Sequence, residues 1–442
     1  MKDWRIVSLN DLGEVNRGKS RHRPRNDPSL YGGPYPFIQT GDVKASQGLV
    51  KSYSQTYSEK GLAQSRLWPK GTMAITIAAN IAETAILDFP ACFPDSVVGF
   101  IPDERRANVR FVEYLFRHLR RQIQSENVGT GSVQDNINLQ TIGALDLLVP
   151  PKKEQDRIAA TLGALDDKIE LNRRMSATLE EMARALYRSW FVDFDPVHAR
   201  ALGQSPAHMD PTTAALFPDS FGPDGLPRGW EREPLADHVR ATRGLSYKGK
   251  HLCGSGDGVP LHNLNSIFEG GGYKDEGAKY YDGDFKPRHE IRPGDLIVAN
   301  TEQSFGLELI GHAALVPFCF GPSGIFSQHL YKIEIRPGSP LSREWVYLAL
   351  SIAPLGVEIR GFSNGTTVNM LPADAFEIPE AAIPPAAVVE KMNEIVRPAF
   401  AQQERLREES RTLADLRDAL LPRLMSGELR IREAEKEIEE LV

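Results

Sequence analysis

LEEMARALYRSWF (179–191) and LADLRDALLPRLM (413–425) carry their apolar side chains at the same places, at an offset of 234 residues. Traced backwards, the correspondence holds to a Pro-Pro pair in each copy, Pro150-Pro151 and Pro384-Pro385. Further upstream the landmarks recur with small shifts. They are Trp4/Leu9 and Trp230/Leu235, Gly18/Ser20 and Gly244/Ser246, PACF (90–93) and PFCF (317–320), and Gly-Thr loops at 129–136 and 365–369. Solenoid units run to about 20–50 residues, and this period is several times longer. It marks a duplicated module, which suits a ligand with two halves.

After the first proline pair, Ile158, Leu165, Asn172, Leu179 and Leu186 recur every seven residues, and Leu162, Ile169, Ser176, Ala183 and Trp190 form a second series offset by four. The second copy keeps the phase with Met392, Ala399, Leu406, Leu413 and Leu420, and with Val396, Gln403, Ser410, Arg417 and Leu424. Seams of this length predict two long helices, the first a rod of about 57 Å at about 1.5 Å per residue. Each helix could instead pack on its own domain, but the narrowness of both seams favours pairing of one with the other. In one continuous chain that pairing is antiparallel. The residues expected to make it are Ile158, Leu162, Leu165, Ile169, Leu179 and Leu186 with Met392, Val396, Leu406, Leu413 and Leu420. Pro398 stands where the first copy has Ala164, which predicts a kink or a late start in the second helix.

Residues 1–150 break into short β-like runs between turn residues: PFIQTGDV (36–43), TMAITIA (72–78), ETAILDF (83–89), SVVGFI (96–101) and ALDLLVP (144–150). One helix is expected at FVEYLFRHLRRQI (111–123), where apolar residues recur at three and four. Residues 230–384 repeat the plan, with PLHNLN (260–265), GDLIVAN (294–300), HAALV (312–316), HLYKIEI (329–335) and a helix near 344–352. The fold class is α+β: two similar mixed α/β globular domains separated by two long helices that pair as an antiparallel coiled coil, with a pseudo-two-fold internal repeat. The expected divisions are a first domain (1–151), a first long helix (152–192), a linker rich in Pro, Gly, Asp and Ser (193–229), a second domain (230–385), a second long helix (386–432) and an acidic tail (433–442).

Composition narrows the function. Apolar content of 41% and charged content of 25% are ordinary for a soluble protein. There is no apolar run of about 18 residues, and the charged start MKDWR does not read as a signal peptide. Three dispersed cysteines suggest neither a disulfide framework nor a zinc site, and a reducing cytoplasm is expected. Cys92 and Cys319, at matching landmarks, are expected to fill cores. His198 and His208 read as loop histidines, and no metal site is expected. Gly254–Gly258 imitates a cofactor loop without the flanking strand and helix. No amino-methyltransferase Asn-Pro-Pro-aromatic motif, nuclease acid-x-Lys, Walker loop or nucleophile turn is found, so no catalytic residue and no cofactor are expected.

A net charge of −7 argues at first against nucleic acid, but the charge is segregated. Residues 1–25 carry seven Lys/Arg against three Asp/Glu, whereas residues 403–442 carry eight against eleven. In NRGKSRHRPR, Arg17, Lys19, Arg21, Arg23 and Arg25 alternate with other residues, so an extended loop would place five cations on one face, suited to a phosphate track. A solvated loop would look the same. The recurrence of Arg240, Arg243, Tyr247, Lys248 and Lys250 at the matching place favours DNA contact. The Gly-Thr loops offer Ser132, Gln134, Asn136 and Asn138 in one copy and Asn364, Thr366, Thr367 and Asn369 in the other. These side chains can read base edges. They are also the residues that turns prefer, and taken alone the turn reading is the stronger.

Helix strings then carry a resemblance. PPKKEQDRIAATLGALDDKIELNRR (150–174), ALYRSWFVDFDPVHARALGQ with MDPTTAALFPDSF (209–221), and LRDALLPRLMSGELRI (416–431) resemble the conserved helices and linker of type I restriction-modification specificity subunits, over essentially the whole chain. The resemblance implies a non-catalytic subunit that binds double-stranded DNA through two target-recognition domains, one for each half of a split, asymmetric sequence. It implies two adenine-N6 methyltransferase subunits as partners, with restriction subunits added for cleavage and no membrane. S-adenosylmethionine, ATP and Mg belong to those partners. Helix segments around Leu179–Trp190 and Leu413–Leu424 are the expected docking surface. The competing readings are an enzyme with tandem DNA-reading domains, which lacks a catalytic motif, and a coiled-coil scaffold unrelated to DNA, which leaves the matched basic loops unexplained.

Overall fold

The computed structural model describes residues 3–78, 80–128, 137–302, 308–365 and 369–441. The chain divides into two compact units: Met1–Leu171 with Ser410–Val442, and Asn172–Glu409.

In the first unit the strands with the most continuous apolar runs lie at the centre of the sheet. Its order is Gly13–Arg17, Val97–Pro102, Met73–Thr76, Thr84–Leu87, Gly48–Val50, antiparallel except for the last pair. All four residues of Met73–Thr76 and of Thr84–Leu87 are buried, as expected of strands covered on both faces. The helix Val109–Val128 lays Phe111, Tyr114 and Leu115 into the core cluster that holds Met73, Ile75 and Phe100. Arg5–Val7 pairs antiparallel with Leu147–Val149, which joins the two ends of the domain sequence.

The second unit repeats this sheet. Val239–Arg243, Leu330–Ile335, Leu296–Ala299 and Ala313–Leu315 occur in the same order, and Glu231–Pro234 pairs with Glu380–Ile383. The helix Arg343–Ser351 begins where Ser342 accepts the Trp345 N–H at 3.0 Å. A second sheet, Leu252–Cys253, Lys279–Tyr281, Val259–His262, Gly324–Phe326 and Glu290–Ile291, has five strands in that order.

The two long helices are Lys152–Phe191 and Ala386–Met425. Within the first unit Asp166 meets Arg417 at 2.6 Å. Within the second, Asn172 donates to Glu409 at 2.8 Å, and Gln403 donates to the Ser176 carbonyl at 2.8 Å. In the second unit numbers rise along one helix as they fall along the other, so the pair is antiparallel there. Ile158, Leu162, Leu165, Met392, Val396, Leu406, Leu413 and Leu420 are buried, while Ile169, Leu179 and Leu186 are half-buried. The seams also pack on the domains: Ile158, Leu162 and Leu165 share a cluster with both Phe111 and Leu420. Pairing and domain packing therefore occur together. A tyrosine on each domain helix ties it to the first long helix, Tyr114 donating to Asp166 at 2.6 Å and Tyr347 to Glu180 at 2.8 Å.

Several expectations change. The run PFIQTGDV does not continue as a strand. The strand ends at Phe37 and Thr40–Ala45 is helical, because the Asp42 carboxylate accepts the Gln39 N–H at 2.7 Å in a capping box. The second long helix starts well before Pro398 and runs through it. Pro398 and Glu394 are both exposed, so the ring faces outward and the carbonyl that loses its donor is at the water-facing side. That helix ends at Met425, with Gly427 at φ 73° and Leu429 N–H bonded to the Arg423 carbonyl. The stretch expected as an acidic tail then forms the helix Ile431–Leu441. It buries Ile431 and Ala434 and pairs Glu437 with Arg423 at 2.9 Å. The linker holds the short helices Asp195–Ala201 and Pro211–Ala214, with Val197 and Phe217 in the second unit's core. His198 therefore lies on a helix and packs at a tilt against Phe221.

Candidate nucleic-acid interface

In the first unit the basic loop leaves the strand Gly13–Arg17 with its faces alternating as the sequence suggests. Arg17, Lys19, Arg21, Arg23 and Arg25 are exposed, while Gly18 and Ser20 are buried and His22 is half-buried. Not all five cations are equally available. Arg25 is held on the Asp95 carboxylate at 2.8 Å, and Arg23 turns back to the carbonyls of Ser20 and His22 at 2.7 and 2.8 Å. Arg17 donates from Nε to the Asp95 carbonyl. Among the described residues Lys19 and Arg21 have no carboxylate partner. The loop is supported underneath by Gln64, whose side-chain oxygen accepts the N–H groups of Arg21 and His22 at 2.5 and 3.0 Å.

The second unit uses the same entry. Arg243 ends its strand and donates from Nε to the Gln328 carbonyl at 3.0 Å, as Arg17 does to Asp95. Lys248 and Lys250 are exposed, and Tyr247 is half-buried against Tyr281. Arg240 departs from expectation. It lies within the strand, and its guanidinium is paired with Glu334 on the neighbouring strand at 2.8 Å. Cross-strand register placed that carboxylate opposite it, which local sequence does not reveal.

Of the Gly-Thr loop residues, Ser132, Gln134, Asn136, Thr366 and Thr367 lie outside the described residues. Asn364 is exposed and exchanges both backbone hydrogen bonds with Met370, and half-buried Asn369 pairs with Glu302 across a short ladder. Asn138 caps the helix Leu139–Gly143 by accepting the Thr141 N–H at 2.8 Å, a turn role.

Sequence reading passed over a polar group in the second unit. Thr301 Oγ1 lies 3.0 Å from His329 Nδ1, and His329 Nε2 lies 3.3 Å from Gln328 Nε2. Asn300 donates to the Gln328 carbonyl at 3.1 Å. Burial, and then the Arg243 charge, hold the His329 imidazole below its ordinary range, so it is neutral at pH 7. No motif marks these residues. The signal available was their place at the ends of apolar strand runs, Gln328 and His329 just before Leu330–Ile335 and Asn300 and Thr301 just after Leu296–Ala299.

The cysteines do not match as expected. Cys92 is buried, with its thiol pushed up to about 11 by burial, and bridges Phe37 in parallel. The parallel pairing at that place in the second unit is Leu261 with Ile325, whereas Cys319 sits half-buried in the turn Phe318–Phe320. Gly254–Gly258 is a turn between two strands of one sheet. Among the described residues no His/Cys/Asp/Glu group is placed to hold a metal ion, and no helix is long and apolar enough to cross a membrane. The helix segments expected to dock partners are mostly core: Ala183, Tyr187, Trp190, Leu413, Leu420 and Leu424 are buried. The exposed large apolar side chains of the first long helix within the second unit are Met175 and Met182.

Residues 1–181 match the family described as the type I restriction modification DNA specificity domain. The chain is similar to the type I restriction enzyme MjaIX specificity subunit of Methanocaldococcus jannaschii, at 24% identity over 98% of this chain and 95% of that protein. It is also similar to the HindI specificity subunit of Haemophilus influenzae, at 26% identity over 97% and 100%. Among solved structures, the S subunit of a type I restriction-modification system from M. genitalium shares the fold. Its TM-score is 0.55 at 14% identity, with 96% of both chains covered.

Proposed function

We propose that this chain, which is similar to type I restriction-modification specificity subunits along nearly its whole length, is such a subunit and that each of its two domains reads one half of a split, asymmetric DNA target. The observation that carries this reading is the repeat itself. The same sheet order leads in both units to an arginine at the strand end and then to an exposed basic loop. The scaffold is shared while the loop side chains differ, so the half-sites differ as well. Identical halves would instead call for a palindrome.

The chain itself supplies recognition and no chemistry. Two adenine-N6 methyltransferase subunits, and restriction subunits where cleavage occurs, would bring S-adenosylmethionine, ATP and Mg. Their docking would use exposed apolar side chains of the long helices such as Met175 and Met182, and the paired helices would set the number of base pairs between the half-sites. The test is co-expression with the methyltransferase subunit, followed by genome-wide mapping of N6-methyladenine. A bipartite, non-palindromic motif is expected, and replacing residues 1–150 with another member's domain is expected to change one half of it. A change in both halves, or no motif at all, overturns the reading.

A further inference from the structure

Immediately before the strand Val97–Pro102 the first unit carries Asp95-Ser96, and immediately before Leu330–Ile335 the second carries Gln328-His329. These two tips are one construction made twice. In each, the strand-end arginine donates from Nε to the carbonyl of the tip residue, Arg17 to Asp95 and Arg243 to Gln328. In each, the following glycine is pressed against the tip. A Cβ on Gly18 would lie 2.2 Å from the Pro94 carbonyl oxygen, and one on Gly244 would lie 2.3 Å from that of Ser327. In each, the glycine N–H bonds the first strand residue, Val97 at 2.8 Å or Leu330 at 3.2 Å. The backbone at the tip is thus fixed by contacts in which the tip side chains take no part.

The side chains presented from this shared frame differ in hydrogen-bonding character. Asp95 and Gln328 are both half-buried, beside exposed cations of their own loops. An ionised Asp only accepts, whereas a Gln amide both accepts and donates. Asp accepts from the cytosine amino group, and Gln pairs bidentately with adenine. A carboxylate beside a basic loop opposes phosphate binding, and a single Arg25 nitrogen bonds both of its oxygens, at 2.9 and 2.8 Å, which leaves each oxygen a further lone pair to accept with. On Gln328 the amide is oriented. Neutral His329 with its proton on Nδ1 donates to Thr301 and accepts from Gln328 Nε2, which leaves Oε1 and the second N–H of the amide as an adjacent acceptor and donor.

We propose that these tips are the specificity-determining positions of the two domains. Gln328, with His329 as its positioning residue, reads an adenine in one half-site, and Asp95 reads a base amino group in the other. This rests on the DNA-reading function proposed above. The experiment maps N6-methyladenine with the full chain co-expressed with its methyltransferase subunit, as wild type and as Gln328→Glu, Gln328→Ala, His329→Ala and Asp95→Asn. The Gln328 and His329 variants are expected to relax or change the same single base pair in one half-site, by about 10- to 100-fold in discrimination. Asp95→Asn is expected to do so at one base pair of the other half. For a variant complex that methylates nothing, mobility shift on the mapped duplex and on a random duplex decides. A drop on the mapped duplex alone supports the assignment, and an equal drop on both overturns it. A wild-type motif that all four variants leave intact overturns this inference alone. A wild-type complex with no sequence preference overturns the DNA-reading function together with it.

Discussion

A methyl group on Gly18 would lie 2.2 Å from one carbonyl oxygen and 2.6 Å from the next, and on Gly244 2.3 and 2.4 Å. Backbone cannot move aside as a flexible side chain can, so Gly18→Ala and Gly244→Ala are each expected to destabilise their own unit by about 1–3 kcal/mol, the cost typical of overpacking. Gly249, with nothing within 4 Å of its Cβ position, is the control, and its alanine variant is expected to stay within about 0.5 kcal/mol of wild type. Urea unfolding followed by circular dichroism measures all three, and equal midpoints would remove the close-approach account. At this scale the sequence was partly readable. Gly18 and Gly244 stood out as recurring landmarks, yet the strand tips they press against lie more than seventy residues away. The same kind of distance in sequence hid Glu334 from Arg240, whereas Cys319 looked equivalent to Cys92 because PFCF locally echoes PACF.

At the scale of elements, hydrophobic period proved a dependable guide where burial is one-sided, as in the long helices, and a poor one where capping decides. Gln39 and Asp42 turned a strand-like run into a helix, and the charged stretch after Met425 became a docked helix because Ile431, Ala434 and Ile438 share one face. Pro398 tests the helix account directly. Its exposed position leaves only the lost N–H and the ring clash as costs, so Pro398→Ala is expected to raise stability by about 1–3 kcal/mol in urea unfolding. A second expectation concerns Asp166. Burial alone would raise its carboxyl, but Arg117, the Tyr114 hydroxyl and Arg417 outweigh it and hold it below its ordinary range. A carboxyl lowered by folding contributes stability above its unfolded value of about 4, and loses it as pH falls through the folded value. Arg417→Met is therefore expected to cost about 1.5–3 kcal/mol at pH 7, with the difference from wild type shrinking as pH is lowered below about 4. A pH-independent difference would assign the loss to packing instead.

For the whole molecule, charge sets how tightly the chain can hold DNA by itself. The net charge is −7, so no broad field draws in a polyanion and binding must come from local loops. Of the nine cations expected at the two loops, Arg25 and Arg240 are paired with Asp95 and Glu334, which leaves seven. Arg23 also bonds its own loop carbonyls. Each phosphate contact adds about −0.9 to the slope of log affinity against log salt, so even all seven would give a slope of only about −6. Such an interaction weakens steeply between low and physiological ionic strength. The purified chain is expected to bind its mapped target at about micromolar affinity or weaker in about 150 mM salt, within the non-specific range. The assembly with methyltransferase subunits is expected to reach the nanomolar range typical of specific complexes, with a steeper salt slope because the partners contribute further phosphate contacts. Fluorescence anisotropy over a salt series, with and without the partner subunits, measures both quantities. Nanomolar, sequence-specific binding by the chain alone at that ionic strength would mean that base contacts, and not the charge of its partners, carry the affinity.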